Sequence, residues 1–254
     1  MIVGIVAFIS MLFFGGGGEV FYVDKLEKGI KKYVVEKERK KEILGDLKNT
    51  KTLFKDFEKE RDKDFKQFLN LYGDMGTTRE GLDSFFSELQ QNRKDFQNTI
   101  IDQRLLIFAK IESVEWNQIL ESSETAAEKR IEKLKKKEGK GKEGFVKTKA
   151  QIERSEISMD QKASLIEALE DIEGLAKDLE SSLLSINSSH NSILADKDSG
   201  KEQLKQIIEE DDTQRKPLLK SLIDFHSLAR ENCPDTEGEK IIKAFTKEIQ
   251  ATSR

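Results

Sequence analysis

Proline is almost missing from this chain. Pro217 and Pro234 are the only two, so residues 1–216 carry none. No run alternates apolar and polar residues between closely spaced turn signals. Both absences exclude a loop-rich or sheet-rich reading and leave long helices. The single cysteine, Cys233, excludes an internal disulfide framework and any cysteine-based zinc cluster, and reads as a plain thiol between helical stretches. The two histidines, His190 and His226, stand in no HExxH pattern, and His190 falls on an apolar seam where a core imidazole is the simpler reading. No catalytic constellation, cofactor motif or metal site emerges, which points to a protein that is not an enzyme. Net positive charge is lacking too: the balance is −4 with a pI near 5.6, so nucleic acid is not an expected partner.

What is plentiful is charge, at 36% of residues against an equal 36% of hydrophobic ones, with a mean hydropathy of −0.60. Phe, Leu and Ile nevertheless recur throughout, so the composition is not that of a disordered chain. It suits elongated helices that bury one stripe and solvate the rest. Charge is unevenly placed. Residues 130–149 hold nine Lys/Arg and three Glu, whereas residues 196–212 hold seven acids and three Lys.

The apolar spacing predicts a first long helix over about 20–72, with Leu26, Ile30, Tyr33, Leu44, Leu47, Phe54, Phe65, Phe68 and Tyr72 on one stripe. The same register lands on Lys37, Lys40, Lys51, Glu58 and Arg61. Such a leaky seam fits a bundle helix with several neighbours better than an isolated coiled coil, and self-association through it is expected. After Gly73–Gly76, Thr77 and Glu80 form a capping-box pattern that opens a second helix to about 136. A break is foreseen near Ser113, which would cap a new helix with Glu115 and Trp116 in its first turn, and a second at Glu121–Thr125. Lys135–Gly144 reads as a loop, since three glycines in six residues weaken any helix. A third helix over about 148–195, a fourth over 201–231 containing Pro217, and a short last helix capped by Asp235 complete the pattern. The segments are 1–18, a membrane anchor or signal; 19–134, a first helical hairpin; 135–147, a basic loop; 148–232, a second hairpin; and 233–254, a C-terminal helix. The expected fold is all-α: an N-terminal membrane-anchor helix followed by two long antiparallel hairpins in an elongated bundle or coiled coil.

Two stretches partly match a phosphate-binding loop. Ala195–Glu202 lacks the first glycine and the Ser/Thr after Gly200-Lys201, Gly139–Gly144 is followed by Phe145, and neither follows a strand. Three other places carry functional expectations. The apolar residues Ile2, Val3, Ile5, Val6, Phe8, Ile9, Met11, Leu12, Phe13 and Phe14 form the only segment able to enter a bilayer. At ~21 Å of helix they are short for a span unless Gly15–Gly18 and Val20–Val23 extend them. The run lacks a signal's basic start, although Gly15 and Gly17 would suit a cleavage site. Lys135, Lys136, Lys137, Lys140 and Lys142 would touch lipid headgroups if the second helix returns the chain to the bilayer. Phe65, Phe68, Tyr72, Phe85 and Phe86, around the first hairpin turn, would pack the hairpin or offer a partner-binding tip.

Residues 19–41 hold eight Lys/Arg against five acids, which by the positive-inside rule places the helical region in the cytoplasm, on the inner membrane. One local pattern points to the other side. Asp102-Gln103-Arg104-Leu105 followed by Ile111-Glu112-Ser113-Val114-Glu115-Trp116 resembles a segment of the Spy-type periplasmic helical stress proteins, over about 15 of the 254 residues. The Thr and Gln of that family's Leu-Thr-x-x-Gln cap are absent here, so no functional residue carries over. The resemblance implies a periplasmic helical chaperone or stress-sensing module. The residues themselves favour a non-enzymatic, membrane-anchored scaffold, spacer or partner-binding rod, with membrane lipid and a protein partner or a second copy as its contacts. A helical pore-former is the remaining alternative.

Overall fold

The computed structural model describes residues 18–21, 25–123 and 144–252. Among these there are nine α-helices and no strand. A 3-10 turn, Gly18–Phe21, precedes α1 (Leu26–Tyr33), α2 (Lys37–Gly73), α3 (Arg79–Phe108) and α4 (Ser113–Ser122). After the undescribed stretch come α5 (Val146–Arg154), α6 (Met159–Ser189), α7 (Asn191–Ala195), α8 (Lys201–Asn232) and α9 (Asp235–Thr252). The all-helical expectation holds, but the long helices are cut more often than the periodicity suggested.

Each cut has a local cause. The first predicted helix divides at Val34-Val35-Glu36. Val34 is extended (φ −71°, ψ 116°) and buried, and Glu36 caps α2 by accepting from the amides of Glu38 (2.9 Å) and Arg39 (3.1 Å). The second helix starts one residue later than expected. Thr77 donates its amide to Asp74 O (3.0 Å) to close the turn, leaving Thr78 as the cap, whose hydroxyl accepts from Gly81 N (3.2 Å). The break before α4 falls at the expected place, but Glu112 and not Ser113 takes the cap position, and Ser113 is the first helical residue. The Glu115 carboxylate reaches back to the Glu112 amide (3.0 Å) and also takes Val35 N (3.3 Å) and Arg39 (2.7 Å). One buried carboxylate thus ties the α1–α2 break to the α3–α4 break. The third predicted helix divides at Ser155–Ser158 and again at His190. Ser158 Oγ accepts from Gln161 N (3.2 Å) and Gln161 Oε1 from Ser158 N (2.8 Å), a reciprocal cap.

α2 pairs with α3, and α6 with α8. The hairpins do not stand apart: α3 lies along α8, and α9 folds back on α5, α2 and α8. Two apolar cores result, each drawing on both hairpins. The junction core joins Val20, Phe21, Ile30, Ile43, Ile107, Phe108, Trp116, Leu194 and Leu204. The far core joins Phe68, Tyr72, Leu82, Phe86, Phe145, Leu169, Leu222, Phe225, Ile241 and Phe245. Along α2 the gap from Leu47 to Phe65 is about 27 Å at 1.5 Å per residue. That gap is the waist of the bundle.

Candidate functional site

The junction end is built around Arg104, which is fully buried on α3. Its guanidinium donates to Val20 O, to Leu194 O (3.1 Å) and to Asp196 O (2.8 Å), and its carbon lies 4.2 Å from the centre of the Phe108 ring. Trp116 Nε1 donates to Ala195 O (2.6 Å). Two side chains therefore satisfy three consecutive carbonyls at the C-terminal end of α7, where a helix leaves its acceptors unpaired and partially negative. The same Arg104 holds Val20, and Phe21 packs edge-on to Phe108 (6.1 Å). Burial pushes the Arg104 guanidinium down to about 10, still charged at neutral pH.

Beside this clamp, α1 and α4 enclose a groove of about 310 Å³ lined by Lys25, Lys28, Lys32, Tyr33, Ser122 and Ser123, with Gly29 at its floor. Gly29 permits the close approach: a Cβ there would lie 2.9 Å from Ile119 Cγ2. Leu26 and Ile30 anchor α1 in the junction core, which turns Lys25, Lys28 and Lys32 to solvent. The Lys32 ammonium lies 4.7 Å from the Tyr33 ring centre. Lys32, then the Ser122 hydroxyl, hold the Tyr33 phenol below its ordinary range. Among the described residues the lining carries one sign of charge, and Glu121 acts on Tyr33 from outside it. A larger cleft at the tip is mixed, lined by Glu36, Arg39, Glu42, Lys110 and Glu112 among others, and there Lys110 pairs with Glu42 (2.5 Å) and Asp46 (2.7 Å).

The waist holds three buried arginines: Arg61 of α2, Arg93 of α3 and Arg215 of α8. Arg215 meets Asp211 (2.7 Å) and Asp212 (3.5 Å). Arg93, 1% exposed, has Asp212 at 3.7 Å and no hydrogen bond from any guanidinium nitrogen. Desolvation, followed by the neighbouring Arg215, pushes Arg93 down to about 9. Arg61, pushed to about 10 chiefly by burial, covers Phe57 (5.1 Å), which stacks on Phe96 (3.8 Å between ring centres). Burial raises Asp212 despite Arg93 and Arg215.

The expected site residues fare differently. The apolar run from Ile2 to Phe14 and the lysines Lys135, Lys136, Lys137, Lys140 and Lys142 lie outside the described residues. Among the described residues no helix is long and apolar enough to cross a membrane, and no group of three His, Cys, Asp or Glu is arranged to hold a metal ion. The flanks of the basic segment lie against different cores: Ser123 lines the α1–α4 groove, whereas Phe145 stacks on Phe245 (4.7 Å) in the far core. Phe65, Phe68, Tyr72, Phe85 and Phe86 are all buried in the far core. Tyr72 donates its hydroxyl to Leu222 O (2.7 Å), so these rings are interior packing and not an exposed tip. Of the segment resembling the Spy-type proteins, Arg104, Ile111 and Trp116 are buried in the junction end.

Arg93, Arg104 and Arg215 went unread in the sequence. Their signal was available: Leu89, Arg93, Gln97, Ile100, Arg104 and Ile107 follow one three-to-four spacing and are all buried, and Arg215 falls in the same way on the buried row of Leu204, Ile208, Leu219 and Leu222. Comparison of the chain with protein-family models, with curated proteins and with solved structures returns no match.

Proposed function

We propose that the chain is a non-enzymatic helical scaffold anchored in a bilayer by its N-terminal apolar run, a rod that holds a protein partner or a second copy at a set distance from the membrane. The observation that carries this reading is the clamp on Val20. Phe14 ends the apolar run, and six residues later Arg104 and Phe108 fix the chain in the junction core. Six residues reach at most about 20 Å. An inserted segment 1–14 would therefore keep the junction end at the membrane surface, not let it drift on a long linker. Charge count in residues 19–41 favours the cytoplasmic side of the inner membrane. The test is reconstitution of the full chain into vesicles followed by alkaline carbonate extraction, with a reporter fused after Arg254 to read the side. Retention in the lipid fraction is expected. Release into the supernatant overturns the anchor.

A further inference from the structure

We infer that the α1–α4 groove is a binding site for the phosphate of an anionic lipid headgroup, which seats the junction end on the membrane. The inference rests on the anchored reading and names the lipid chemistry that reading leaves open. Three features of the groove point to an anion. Among the described residues, its lining presents Lys25, Lys28 and Lys32 and no carboxylate. Of its remaining polar groups, the Tyr33 phenol and the Ser123 hydroxyl can donate to phosphate oxygens, while the Ser122 hydroxyl donates to Ile119 O (3.3 Å). Glu27, the one acid of α1, faces away from the lining and is taken by Lys31 and Lys51.

Location selects the lipid over a soluble anion. Leu26 and Ile30 share the junction core with Val20 and Phe21, so the groove belongs to the end of the rod from which the apolar run extends. Lysines held at an anionic surface each raise binding by about 5-fold. A groove of fixed shape also positions them around one headgroup, as a mobile basic tail would not. The lysines of the 135–142 segment are not needed for this seat.

The test uses the full chain in vesicles of phosphatidylcholine alone or mixed with phosphatidylglycerol. Amine acetylation is followed residue by residue by mass spectrometry, with the exposed Lys243 of α9 as internal reference. Lys28 and Lys32 are expected to react at least several-fold more slowly on the charged vesicles, with Lys243 unchanged. Equal rates on both vesicles overturn the site. The same protection by inorganic phosphate, with neutral vesicles, overturns the lipid assignment. Replacing both lysines (K28A/K32A) is expected to lower the preference for charged over neutral vesicles by about 30-fold. Both side chains are solvent-exposed, and circular dichroism checks that the helices persist. An unaltered preference overturns the site as well. Failure of the anchor is read separately: carbonate then strips the chain from neutral vesicles, while a salt-sensitive preference for charged vesicles, lost in K28A/K32A, still reports the groove.

Discussion

Arg93→Met should make the protein more stable. Arg93 is 1% exposed, donates no hydrogen bond, and has a single carboxylate at 3.7 Å while Arg215 repels it. Burial pushes its guanidinium down to about 9, which corresponds to about 5 kcal/mol against the charged form. The sign is that of a base held below its unfolded value. The penalty is fully present at pH 7 and fades only as pH rises past about 9. Methionine removes the charge and fills the site with an adaptable apolar chain. Against this gain, Asp212 loses one partner but keeps Arg215 at 3.5 Å. Apolar replacement of buried charge returns about 1–4 kcal/mol in comparable sites, and a chain of this size gains about 2–4 °C in Tm per kcal/mol. Urea unfolding followed by far-UV circular dichroism measures the change. Asp212→Asn is the opposing control: it strips carboxylate from both Arg93 and Arg215 and should cost about 3–5 kcal/mol. A loss of about 1 kcal/mol or more in Arg93→Met, well outside the usual scatter of such replacements, would refute the reasoning, because it would mean the buried guanidinium is net favourable.

Arg104→Met should destabilise by about 3 kcal/mol or more, since it strands the carbonyls of Val20, Leu194 and Asp196; hydrogen exchange at residues 191–199 should speed up, and unchanged exchange there would count against the clamp. His226 is buried beside Tyr72 (4.9 Å), near Asp74 and Arg230, and desolvation lowers its pKa from 6.5. The unfolded chain then binds more protons below pH 6.5, so stability should fall as pH drops through that window, and His226→Phe should flatten the slope in a series of melts. Gly238→Ala should cost about 1–3 kcal/mol, because its Cβ would meet Ala229 O of α8 at 3.0 Å and Met75 Cε at 2.6 Å. Gly29→Ala would bring its Cβ to 2.9 Å from Cγ2 and 3.0 Å from Cγ1 of the buried, β-branched Ile119, and should cost a similar amount in the same denaturation assay.

Helix content was legible in the sequence because proline is absent up to residue 216 and the apolar stripe keeps its period. Helix ends were less legible. Glu36 caps α2 although Ser, Thr, Asp and Asn lead as caps, and the Ser158–Gln161 box sits inside the stretch over about 148–195 that reads as one helix. Pairing between hairpins lay further out of reach, since nothing local tells α3 to lie along α8. The junction groove shows the same limit. Lys25, Lys28 and Lys32 could be counted from the sequence, but Ser122 and Ser123 reach them only through the Gly29–Ile119 contact. The aromatic residues around the first hairpin turn were visible as a cluster; their cover, α8 and α9, is more than 130 residues away in the chain.

The waist has a consequence for register. On either side of it the cores are built from Leu, Ile and Phe at repeating intervals, and such surfaces alone tolerate slippage by a helical turn, about 5.4 Å. Arg93, Asp212 and Arg215 do not. A one-turn shift of α8 along α3 would carry Asp212 away from Arg93 and press Arg215 towards positions held by Leu218 and Leu219. An unpartnered buried charge costs several kcal/mol, comparable to the stability of many whole domains. Register in turn places α7 under Arg104 and Trp116, and so fixes the junction end. Replacing Arg93, Asp212 and Arg215 together by Met, Leu and Met should therefore give a bundle at least as stable as the parent but less unique. Cysteine pairs introduced across α3 and α8, one in the observed register and one a turn away, would read this by the rate of cross-linking. The parent should close only the first pair. The triple variant should close both, and a variant that still closes only the first would show that the apolar cores fix the register unaided.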